Sequence, residues 1–211
     1  MIQIAIILFG LTMLYVSVTS RLESYVKAIA AQGAILFFLV LLDYGTTNPG
    51  NLIFLSFETL AVKAIAIPMF LMYVIRKNGI YREVEPSVTN YSSLAITTAI
   101  FAVGFYISYW AAGTVSNMRP FYFGISISTI VTGLFIIISR KKIITHVMGY
   151  MMMENGIFLL ALSIAREMPF IVALGVLLDI FIAVYLLGLF INKVQDSYSD
   201  THIDSLAKLK D

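Results

Sequence analysis

The 211-residue sequence contains no cysteine, one tryptophan, two histidines and five prolines. Without cysteine the chain can form no disulfide and can offer no thiolate to zinc or to an iron–sulfur cluster. Any redox centre it serves is therefore expected on other chains. Charge is equally scarce, with Asp, Glu, Lys and Arg making up 12% of residues and a formal net charge of +2. No basic patch is interleaved with aromatics, so nucleic acid is not an expected partner. No Gly-rich phosphate loop, His-Glu-x-x-His pair or serine elbow is present, and no catalytic residue, bound cofactor or metal site is expected. What remains is apolar: 60% of residues are hydrophobic and the mean hydropathy is +0.91. A soluble domain of this size has no use for that much apolar surface, so the expected solvent is lipid.

Crossing a hydrocarbon core takes about 20 mostly apolar residues. Seven such runs are predicted, at roughly residues 2–19, 25–44, 51–75, 91–113, 121–139, 144–165 and 169–192. Polar or turn-forming segments separate them: Ser20-Arg21-Leu22-Glu23, Gly45 to Gly50, Arg76-Lys77-Asn78-Gly79 and Arg140-Lys141-Lys142. Pro120 and Pro169 suit a first helical turn. The runs are too long and continuous for barrel strands, which makes the expected fold an all-α integral membrane protein of about seven transmembrane helices. The opening Met1-Ile2-Gln3-Ile4-Ala5 lacks the basic region of a cleaved signal peptide, so the first run is expected to be a retained helix.

Lys and Arg are distributed unevenly about these runs. Eleven fall in alternate loops and the tail (Arg21, Lys27, Arg76, Lys77, Arg82, Arg140, Lys141, Lys142, Lys193, Lys208 and Lys210), against Arg119 and Arg166 on the other side. Positive charge marks the cytoplasmic side, which predicts an outside N-terminus and a cytoplasmic C-terminus and requires an odd number of helices. Two parts of the chain also look alike. Each has an apolar helix, a Ser-Arg turn (Ser20-Arg21, Ser139-Arg140), a helix with a polar-Gly pair (Gln32-Gly33, Asn155-Gly156) and a charged third helix. The pattern predicts a weak parallel three-helix repeat: a first unit over 1–90, a linking helix within 91–120, a second unit over 121–193 and a cytoplasmic tail over 194–211.

Four ionisable residues fall well inside the predicted helices: Glu58, Lys63, Glu154 and Asp179. A central charge costs about 2.5–3.5 kcal/mol on insertion scales, so these groups must face protein, water or one another. Lys63, Glu154 and Asp179 lie close to the middle of their helices, hence at similar depth. Glu58 and Lys63 are five residues apart, about 140° round an α-helix, which predicts that they share no narrow face and that at least one meets another helix. Pro68 is expected to bend the third helix beside Lys63. Gly175 and Ala183 flank Asp179 with small residues that admit a neighbouring helix, and Gly149 and Gly156 make a similar seam near Glu154. Ion pairs that merely fix helix register are the competing explanation. Intramembrane ionisable groups more often mark an ion path, and buried pairs stabilise weakly compared with apolar packing.

Other residues carry less. His146, eight before Glu154 at the cytoplasmic start of the sixth helix, is a candidate proton-uptake group or an interfacial histidine. Tyr106, Tyr109 and Trp110 read as interfacial aromatics, Met151-Met152-Met153 as adaptable packing, and Asp43 as a solvated helix end.

The stretch Gly149-Tyr150-Met151-Met152-Met153-Glu154-Asn155-Gly156, followed by an apolar helix, resembles the hydrogenase-4 component E family of the membrane arm of group 4 nickel–iron hydrogenases. The segment from Thr59 to Pro68, with its lysine five before the proline, and the tail from Ile203 to Lys210 agree with it. From about residue 121 onward the chain also resembles subunit K of respiratory complex I, a three-helix protein with one intramembrane glutamate in each of its second and third helices. The resemblance places those acids at Glu154 and Asp179, the latter one methylene shorter, while Gln32 in the first unit has no acid.

These resemblances imply a non-catalytic subunit of a hydrogenase-type complex in the cytoplasmic membrane, contributing to proton or cation translocation. Glu154 and Asp179 would relay protons, joined by Lys63, Glu58 and His146. Expected partners are antiporter-like and quinone-module-like membrane subunits and, indirectly, a nickel–iron hydrogenase and iron–sulfur proteins. A subunit of a multi-chain cation/proton antiporter without redox activity is the alternative. An intramembrane hydrolase is disfavoured, since no nucleophile stands beside a base.

Overall fold

A computed structural model describes residues 1–44, 49–77, 79, 81, 82, 87–113, 119–164 and 175. Met1–Pro169 forms one compact unit. Among the described residues the structure is helical, without a β-strand. The helices are α1 (Ile2–Val18), α2 (Leu22–Tyr44), α3 (Pro49–Phe57), a π-helical stretch (Glu58–Ala66), α4 (Ile67–Lys77), α5 (Asn90–Ala112), α6 (Pro120–Ser139) and α7 (Ile143–Ile164). The segments α3, π stretch and α4 run on without a break and form one third span.

Among the described residues five spans are long and apolar enough to cross a membrane, and α1 is a shorter apolar helix. Six of the seven predicted runs are thus present, each end within three residues of its expected position. The chain is an all-α, multi-pass membrane protein. Apart from Gly175, the seventh run, 169–192, lies outside the described residues, and Asp179 and its flanking Ala183 lie there with it.

Local chemistry explains the starts of α5 and α6. Pro120 opens α6, where its missing N–H is one of the unpaired donors of a first turn. Thr89 caps α5, its side chain accepting from the Ser92 amide. The turns after α1 and α6 each bond to the segment between α4 and α5: Leu22 N donates to Tyr81 O, Ser87 N donates to Ser139 O, and the side chain of Lys142 donates through Nζ to Arg82 O.

The third span departs from simple α winding for identifiable reasons. The hydroxyl of Thr59 donates to the Leu55 carbonyl, loading an acceptor of the α ladder. The Ile67 amide bonds to Val62 O, five residues back. The next bond of that ladder would run from Pro68 to Lys63, and proline has no N–H to give. The proline expected to bend the helix therefore ends a π-helical segment, a rare winding that often sits at functional sites.

Two close approaches lock the bundle. On α2, a Cβ at Gly33 would come 2.7 Å from the Ala64 amide nitrogen, so α2 lies directly on the backbone of the π stretch. Between α6 and α7, a Cβ at Gly133 would come 2.7 Å from Gly149 O, and one at Gly156 would come 2.8 Å from Thr129 Cγ2. The glycine seam expected beside Glu154 is thus the contact of α7 with α6.

Candidate functional site

The π winding overturns one expectation. Hydrogen bonds from i to i+5 bring residues five apart onto the same side of the helix, so Glu58 and Lys63 face each other. Lys63 Nζ stands 3.5 Å from Glu58 Oε1, and the same ammonium contacts Glu154 Oε1 on α7. The prediction that one of the pair meets another helix holds for Lys63. The prediction that they diverge fails, because it assumed 3.6 residues per turn.

All three side chains are buried, with relative exposures of 2% for Glu58, 5% for Lys63 and 6% for Glu154. The face of Phe158, one turn beyond Glu154 on α7, lies 4.8 Å from the Lys63 ammonium, within cation–π range. Neither carboxylate oxygen of Glu58, nor Oε1 of Glu154, has a hydrogen-bond partner among the described residues. By distance from the ammonium the trio is asymmetric, with a close contact to Glu154 and a looser one to Glu58. Fully ionised, two acids and one base carry a net negative charge. Electroneutrality is met when one acid holds a proton.

Helix α2 sets the geometry. Gly33 lets the Lys63–Ala64 backbone press against it. Its neighbour Gln32, fully buried, turns towards α7, and Asn155 Nδ2 donates to Gln32 Oε1 at 3.1 Å. Gln32 Nε2 donates in turn to Thr12 Oγ1 at 2.7 Å, and Thr12 passes its hydrogen to Phe9 O at 2.6 Å. This directed chain ties α7, α2 and α1 at the residue next to Glu154. Sequence reading noted Gln32 and Asn155 as matching positions of a repeat but missed that they bond to each other. The signal available was two buried amides, each beside a glycine, in otherwise apolar runs.

His146 is not brought to the trio. Its Nε2 lies 2.7 Å from the Arg140 carbonyl in the first turn of α7. Arg140, expected in a polar loop, is 3% exposed and donates through Nη2 to Ser17 O at 3.4 Å. Tyr106, Tyr109 and Trp110 are exposed on α5, and Met151 and Met152 are buried. Among the described residues no group of three or more His, Asp or Glu is placed to hold a metal ion.

Comparison with known proteins now bears on this arrangement. Residues 121–211 match the family described as NADH-ubiquinone/plastoquinone oxidoreductase chain 4L. The match starts at the first turn of α6 and takes in Glu154. An uncharacterised protein of Mycobacterium tuberculosis is 29% identical over 198 residues, covering 90% of this chain and 87% of its own. Hydrogenase-4 component E of Escherichia coli is 22% identical over 162 residues, covering 76% and 74%, and its Shigella flexneri counterpart aligns equally. No solved structure matches. Both resemblances drawn from the residues are borne out: the part from 121 onward is chain 4L-like, and component E is a more distant relative of most of the chain.

Proposed function

We propose that this protein is a non-catalytic membrane subunit of a respiratory-type oxidoreductase complex of the group 4 hydrogenase class, in which Glu154, Lys63 and Glu58 form one section of a proton path. The observation that carries this is the buried line of acid, base and acid, joined through one ammonium. Such a line holds a proton on either end without leaving net charge in the membrane, and intramembrane charges are costly enough to be kept chiefly for such work. Lys63 between the acids lowers the cost of shifting that proton from one to the other. Asp179, by resemblance to the second glutamate of subunit K, is the next relay, and His146 is the uptake group on the cytoplasmic side.

The names of the relatives favour an oxidoreductase assembly over a multi-chain cation/proton antiporter without redox activity. On this reading the partners are antiporter-like and quinone-module-like membrane subunits, the redox centres lie on soluble chains, and the complex resides in the cytoplasmic membrane. The parallel repeat is supported by the Ser-Arg turns that close both the α1–α2 and α6–α7 hairpins and by the Gln32–Asn155 contact. Reconstituting the complex with Glu154→Gln tests the reading. Electron transfer is expected to persist while protons pumped per electron fall; an unchanged ratio would reduce Glu154 to a structural role.

A further inference from the structure

On the other side of α6 from Gly133 and Gly149 lies a second polar cluster that the trio does not use. Four hydroxyls, Ser93 and Thr97 on α5 and Thr132 and Ser139 on α6, are buried and have no hydrogen-bond partner among the described residues. Nε and Nη1 of Arg140, at the end of α6, are buried and unpaired in the same way.

These groups converge. The helices α5 and α6 are antiparallel, with Ser108 donating to Pro120 O and a Cβ at Gly104 running into Ser128. Eleven residues before Gly104 is Ser93, and eleven after Ser128 is Ser139, so on antiparallel helices these two are level. Thr97 and Thr132 lie between, about one to two turns deeper. Ser93 and Thr97 are four apart and Thr132 and Ser139 seven apart, so each pair shares a helix face. Helix α1 covers the seam: a Cβ at Gly10 would meet both Phe101 and Ile125, and Ser17, seven residues on, accepts from Arg140.

Hydroxyls elsewhere on these helices behave differently. Ser126, Ser128 and Thr129 donate to carbonyls of their own helix at 2.7–2.8 Å, as Thr98 does on α5. Those in the seam are turned away from that ordinary partner. Buried polar groups in native proteins are satisfied, by ordered water where protein supplies nothing.

We propose that the α1/α5/α6 seam is an internal water site, holding a short file of ordered waters from the Arg140 guanidinium down to Thr132. The guanidinium at its end, 3% exposed, donates to water and repels cations, so the seam is a hydrated site separate from the acid–base line and not a conduit for metal cations. It gives the linking helix α5 a role of its own, and it stands whether or not Glu154 relays protons.

The substitutions Thr97→Val and Thr132→Val, measured by thermal unfolding of the full chain in lipid nanodiscs, separate wet from dry. A dry unpaired hydroxyl is better replaced by a methyl of the same shape, and a watered one is not. Each variant is expected to lower the midpoint by about 2–4 °C, with Thr132→Ser staying nearer the wild type. An unchanged or raised midpoint overturns the proposal. Should the valine variants not fold, a high-resolution map of the unaltered chain decides: water density within hydrogen-bond distance of Thr97 and Thr132 supports the site, and an empty seam refutes it.

Discussion

The α6–α7 hairpin and the third span both carry charge into the middle of an apolar bundle, and they do so by opposite means. Helices α6 and α7 are regular, knit by Gly133, Gly149 and Gly156, and hold Glu154 on a rigid frame. The third span changes winding twice along its length and exposes Ile53, Phe57 and Met69. Its Glu58 and Lys63 meet only because that winding is irregular. An acid on a regular helix facing an ammonium on an irregularly wound one differs from two charges on regular helices, since that winding sets the ammonium within reach of a second acid on its own span.

The largest effect that would test this contrast is expected from Lys63→Met. Removing the shared cation leaves Glu154 and Glu58 buried without it, and breaking a buried pair costs about 3–5 kcal/mol. Glu58→Gln, which loses only the looser 3.5 Å contact, is expected to cost clearly less. Chemical unfolding in nanodiscs compares the two, and equal losses would erase the asymmetry. Next are the two tight glycines. Gly33→Ala and Gly133→Ala each force a methyl against backbone and are expected to cost about 1–3 kcal/mol. Only Gly33→Ala displaces Lys63, so it alone is expected to abolish pumping in the reconstituted complex; similar pumping defects would mean that both helix pairs are equally rigid.

Smaller still is the amide bridge. Gln32→Leu or Asn155→Leu strands a buried partner, at about 1–3 kcal/mol each, and the double variant is expected to lose less than the sum. Strict additivity in that cycle would show that the bond does not couple α2 to α7. At the bottom, Tyr109→Leu, at a position 85% exposed, is expected to stay within about 0.5 kcal/mol of wild type.

The helices were legible because lipid imposes a length and an apolar character that local sequence cannot hide. Glu58, Lys63 and Glu154 were legible for the same reason, as charges that stand out against that background. Their mutual geometry was not. Reading Glu58 and Lys63 on a regular helix turned them apart, and no residue pattern announces a π-helix, though an acid and a base five apart ahead of a proline is the trace it leaves here. Arg140 misled in the other direction. A Ser-Arg-Lys-Lys run reads as a solvated loop, and only the end of α1 folding over it, with Ser17 O accepting its guanidinium, takes the first of the three cations out of water. The Gln32–Asn155 bond depends on residues 123 apart in sequence, which local periodicity does not relate.

The placement of Lys63 has a mechanical side. Two members of the charged line ride on the third span and one on α7, so a slide of one helix along the other by a single residue's rise, about 1.5 Å, lengthens one electrostatic contact while sparing the other. Displacement becomes electrical work, and a shift in charge pulls on the helices in return. A neighbouring subunit that pushed on α7 would thus be felt at Lys63 without touching it, and on the proposed proton path the line would be a transducer as much as a wire.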